Sequence, residues 1–108
     1  MTFEDERPGW DRGMADSIIG AVVLIGLTWR RPQGEEQTQL YGVIQTADPE
    51  NGFEIILSGA HEGETYWLPP QLSSFQPAPR GEYRLRSTGE VVVDPDYISQ
   101  WTIDPPAS

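Results

Sequence analysis

The residues able to do chemistry fall into a few small groups. His61, Glu62 and Glu64 stand together in SGAHEGE, and an imidazole with two carboxylates is a legitimate start to a divalent-metal site. Such a site normally adds a third or fourth ligand fixed on rigid structure, and this segment offers none, so it reads as a solvated polar loop and no metal is expected. His61 is the single histidine; to work as a general base it would need a nucleophile beside it, and no residue of that kind accompanies it.

Asp48, Glu50 and Glu54 surround Asn51 and Gly52, but the ligand register of a calcium loop is absent, and turn chemistry accounts for Asp48, Asn51 and Gly52. Asp94 and Asp96 flank Pro95 and read first as turn residues; as a carboxylate pair for hydrolysis they would have to face each other across a cleft. Arg84 and Arg86 share a strand parity with Arg80 close behind. They could hold a phosphate or a carboxylate by paired hydrogen bonds, although cross-strand pairing with Glu82 and Glu90 is the simpler expectation. Large rings are plentiful: Trp29, Tyr41, Tyr66, Trp67, Tyr83, Tyr97 and Trp101. Parity sets Trp67 against Tyr66 and Leu68, so one ring of that strand faces outward, beside acids, as at a protein-binding surface. The candidate binding residues are therefore Trp29, Tyr41, Trp67, Arg84 and Arg86, with no catalytic set and no cofactor.

Composition narrows the classes. Seventeen acids stand against seven bases, a net charge of −10, and every base is arginine. Lysine chemistry is excluded, nucleic acid is repelled by the average field, and a basic protein is attracted. Without cysteine there is no disulfide framework and no thiolate metal site. The acidic opening MTFEDERPGWDRG lacks the apolar run of a cleavable signal, and Ile18–Leu27 is about half the length of a membrane span. A soluble, cytoplasmic protein is expected.

The elements that would position these groups are strands. In LYGVIQTADPENGFEIIL, residues 40–57, two apolar runs flank Asp48–Gly52, a hairpin whose turn asks Gly52 for positive φ. Val23, Ile25, Leu27 and Trp29 alternate; Gly20 and Gly26 mark a turn and a bulge or bend, with helix over Ile18–Leu27 as the competing assignment. Pro32–Glu36 is a loop, Thr65–Leu68 a short strand stopped by Pro69 and Pro70, and Gln71–Phe75 a helical turn whose Leu72 and Phe75 plug one end. Glu82–Arg86 and Glu90–Val93 form a second hairpin, and Tyr97–Ile103 a last strand. The core is expected to draw on Val23, Ile25, Leu27, Leu40, Ile44, Phe53, Ile55, Leu57, Leu68, Leu85 and Val91.

About six short strands around one core predict an all-β, single-domain antiparallel barrel of the SH3-like or Sm-like kind over residues 16–103, with an open sandwich as runner-up. Residues 1–15 read as a flexible arm, although Trp10 has the size to dock, and residues 104–108 as a frayed tail. The Leu40–Leu57 pattern resembles the central hairpin of Sm-like proteins over about a sixth of the chain, and no function is carried from it. The function expected is a non-enzymatic acidic protein-binding domain, such as an inhibitor or immunity-type protein neutralising a basic partner. A small Asp/Glu/His hydrolase or isomerase, and a self-associating subunit, are the rivals.

Overall fold

A computed structural model describes residues 10–104. Eight strands run β1 Val22–Arg31, β2 Gly34–Asp48, β3 Gly52–Leu57, β4 Thr65–Leu68, β5 Phe75–Pro77, β6 Glu82–Arg84, β7 Val91–Val93 and β8 Tyr97–Ile103. Six make one sheet in the order β4-β3-β2-β1-β8-β5, and β6 with β7 forms a separate hairpin. All ladders are antiparallel except β1 with β8, which is parallel. The expected all-antiparallel barrel is thus a mixed sheet, and no ladder joins its two edges, β4 and β5.

The sheet nevertheless curls. β3 and β5 stand four strand positions apart, about 19 Å in a flat sheet, yet the rings of Phe53 and Phe75 lie with centroids 4.6 Å apart. Two features of β2 permit the bend. The ladder to β3 shifts register between Ile44 and Thr46, a bulge that sharpens twist. At Gly42 an added Cβ would collide with the Ile56 carbonyl oxygen, so only glycine lets the two backbones approach there. Gly26, the sequence-based candidate for a bulge, instead keeps regular register in β1.

The concave face carries the core: Val23, Ile25, Leu27, Leu40, Ile44, Phe53, Ile55, Leu57 and Leu68, joined by Leu72 and Phe75 from the segment that crosses from β4 to β5. The central turn behaves as its residues require. Asp48 Oδ1 accepts from the backbone N–H of Glu50 at 2.7 Å and Asn51 at 2.9 Å, and Gly52 sits at φ 95°.

Four expectations change. Within the segment read as an arm, Arg12–Ser17 form helix α1; residues 1–9 lie outside the described residues. Asp11 caps α1 by accepting from Met14 N–H at 3.1 Å, and Ala15 and Ile18 at helical spacing bury against the core while Trp10 rests on Phe53. Of the Ile18–Arg31 stretch only Val22–Arg31 is strand, and Gly20, with φ 90°, makes the turn expected of it. The loop Pro32–Glu36 shrinks to Pro32 and Gln33, because Arg31 and Gly34 already pair. In the second hairpin Val92, not Val91, is buried, and with Leu85 it joins a separate cluster on the other face of the sheet. Of the tail, residues 105–108 lie outside the described residues.

Candidate functional site: the outer face of the sheet

The side chains opposite the core share the even parity of β1. Leu24 is the Cα partner of Tyr41 on one side and of Ile98 on the other. Over this row lies the β6–β7 hairpin, whose Leu85 and Val92 bury against Leu24, Tyr41 and Ile98. It is tied down at several points. Glu90 Oε2 accepts from Ala60 N–H at 3.0 Å and from the Tyr41 hydroxyl at 3.5 Å. Arg86 N–H donates to Gln39 Oε1, and Ser87 Oγ meets the Gln39 peptide. At the far end Asp96 Oδ2 accepts from Val22 N–H at 2.8 Å, and Asp94 Oδ1 from Gly81 N–H at 2.7 Å.

The hairpin splits the outer face in two. On one side Val22, Val43, Ile56 and Thr65 are successive Cα partners across four strands, and Thr46, Glu54 and Trp67 form the next row. Val22, Val43 and Ile56 are half-buried, and Trp67 is 51% exposed. The Thr46 hydroxyl donates to Glu54 at 3.2 Å, drawing that carboxylate toward β2, on the side of β3 away from the strand of Trp67. This half is apolar apart from Thr46, Glu54 and Thr65. The other half, beyond the hairpin, is floored by Gly26 and lined by glutamine and threonine.

The structure separates the five candidate residues. Trp67 is the exposed ring. Tyr41 shares the outer face but lies beneath the hairpin, where burial first and the Glu90 carboxylate second hold its phenol above the usual value, leaving it a proton donor at neutral pH. Trp29 lies on the opposite, concave side, half-buried against the core. Arg84 is exposed on β6 opposite Val91, and Arg86 in the turn beyond. Neither forms an ion pair among the described residues with Glu82 or Glu90, the partners expected for them, because Glu90 is turned toward Ala60 and Tyr41. Burial alone raises the phenol of Tyr66, which packs on the core side of β4.

The remaining polar candidates have structural partners. His61 Nδ1 meets Glu64 Oε2 at 3.4 Å, and among the described residues no three His, Cys, Asp or Glu side chains gather to hold a metal ion. Asp94 and Asp96 hold backbone N–H groups, as turn residues do. Among the described residues no helix is long and apolar enough to cross a membrane.

Parity set Trp67 opposite Tyr66 and Leu68 without deciding which ring is exposed, and the same parity applied to Val43 and Ile56 would have found the apolar row beside it. The position of Glu90 had no local signal, since its partners lie 30 and 49 residues away. Comparison with protein-family models, with curated proteins and with solved structures finds no match.

Proposed function

We propose that this chain is a cytoplasmic, non-enzymatic binding protein that docks a basic protein on the Trp67 half of its outer face, in the manner of an inhibitor or immunity-type protein. The observation that carries this reading is Trp67 itself: a ring 51% exposed, on an edge strand, directly opposite Glu54 and diagonal to Ile56. Exposed tryptophan on an apolar floor with one carboxylate as cross-strand neighbour resembles an interface centre, where rings supply much of the binding energy. The net charge of −10 adds long-range steering toward a cationic partner and away from nucleic acid. We read the frame as an opened version of the small SH3-like or Sm-like barrel, a reading supported by the contact of Phe53 with Phe75 across the curl.

The test is capture from the native lysate on the immobilised chain, with Trp67→Ala and Glu54→Gln as controls. A stoichiometric basic protein, lost from both variants, with association slowing markedly between about 0.05 and 0.5 M salt, is the expected result. Recovery of the chain alone would favour self-association, and tight single-stranded RNA or DNA binding at about 0.15 M salt would overturn the reading.

A further inference from the structure

The half of the outer face beyond the hairpin differs in chemistry from the Trp67 half. Gly26 floors a groove of about 360 Å³ whose walls are Thr28, Gln37, Gln39, Gln100 and Thr102. A second hollow of about 370 Å³ continues it beneath the hairpin, sharing Gly26, Gln39 and Gln100 and adding Leu24, Ile98, Tyr83 and, from the hairpin, the charged Glu82 and Arg84. Each is of the size that small-ligand sites begin at.

No ionisable side chain lines the Gly26 groove, in a chain with seventeen acids and seven arginines. Its walls offer amides and hydroxyls instead. Among the described residues, the side chains of Thr28, Gln37, Gln100 and Thr102 make no hydrogen bond to protein. Gln39 is different in a useful way: its Oε1 accepts from Arg86 N–H, which fixes the amide of a residue that lines the groove. Strand geometry spaces these groups by about 4.8 Å across and about 6.8 Å along the sheet, so they form a regular array of donors and acceptors.

From this we propose that the groove binds a neutral oligosaccharide. A polyanion meets the field of ten net negative charges, and a cation finds no carboxylate among the lining of the Gly26 groove. Within the Gly26 groove a chain of hydroxyls matches amide and hydroxyl partners without desolvating a charge, and the charged Glu82 and Arg84 lie only in the hollow beyond it. At the hairpin end the half-buried Ile98 and Tyr83 side chains receive the C–H face of a sugar ring. The missing side chain at Gly26 is what keeps the floor open.

Gly26 also supplies a clean test. Its backbone is ordinary for a strand, and an added Cβ would meet only Gln100 Cγ at 3.7 Å, a normal contact. Gly26→Val puts a branched side chain on the floor of the groove, and a thermal melt alongside checks that the fold is kept. Titrating the labelled full chain with cellohexaose, maltohexaose and chitohexaose separately, one reads the side-chain amide resonances of Gln37, Gln39 and Gln100. Saturable shifts of these amides with at least one of the three, and at least tenfold weaker binding by Gly26→Val, are expected; Gln100→Glu, which puts a charge in the wall, weakens it as well. Absence of shifts with all three at millimolar concentration, shifts confined to the Trp67 half, or unchanged affinity in Gly26→Val would each overturn the proposal. Because Trp67→Ala leaves this groove untouched, its failure and that of the protein-binding reading are separately visible.

Discussion

The two halves of the outer face are built on the same strands with the same alternation, and differ because the hairpin lands between them. On the Trp67 side, β-branched residues meet an edge strand, and the ring at position 67 is half exposed. On the Gly26 side, the same parity places glutamine, threonine and glycine on the middle strands. The difference teaches that alternation settles which residues face away from the core, while the roof settles which of them are surface. Leu24, Tyr41 and Ile98 belong to the same face as Trp67, yet they pack as a small core of their own.

Removing the roof is the strongest way to break this division. Leu85 is 1% exposed, so Leu85→Ala should cost about 2–5 kcal/mol in a urea titration, with loss of amide-exchange protection concentrated in β6 and β7. A cost within error would mean that the hairpin rests on the sheet without stabilising it. Glu90→Ala cuts one tie and leaves Leu85 and Val92 in place. About 1–2 kcal/mol is expected, the usual range for a charge-assisted hydrogen bond that is partly exposed, with exchange quickened at Ala60 first.

Trp67→Ala sharpens the comparison from the other side. Its stability cost should stay within about 1 kcal/mol, since the ring covers little of the core, whereas capture of the basic partner should weaken at least tenfold. A large loss of stability would make Trp67 a packing residue and remove it from the binding surface.

The smallest effect is a matter of pH. The Tyr41 phenol has a raised folded-state value, so the folded chain keeps its proton where the unfolded chain gives it up. That contribution is fully present below the ordinary tyrosine value near 10 and is lost as pH rises through the folded value, so stability falls with pH in that window. Tyr41→Phe should flatten this alkaline decline in denaturant titrations taken above about pH 9.5, and an unchanged slope would place the phenol in water.

Much of this arrangement is written locally. Phe53, Ile55 and Leu57 alternate and are buried; Asp48 and Gly52 close their hairpin; Pro69 and Pro70 follow the last residue of β4; Leu72 and Phe75 fill the end of the core. Each of these depends on side-chain period or backbone preference within a few residues, which a sequence displays directly. Helix α1 was less legible, because six residues with a glycine make a poor helix alone, and it is the packing of Ala15 and Ile18 that stabilises it.

What tertiary structure alone decided are the pairings between distant segments. That β1 takes β8 as a parallel neighbour, with Val23 opposite Tyr97, has no trace in either strand's pattern, since a half-buried strand reads the same whichever neighbour it receives. The same holds for Glu90, drawn to Ala60 rather than to the arginines nearer in sequence, and for Val92, turned inward in place of Val91. In a three-residue strand, period two leaves both faces open, and the choice falls to whichever apolar surface lies beneath, here Leu24, Tyr41 and Ile98. The sequence by itself determined an acidic, cysteine-free chain of short strands with at least one outward ring on the Thr65–Leu68 strand. Long-range packing decided that its sheet stays open, and that one small hairpin divides the outer face in two.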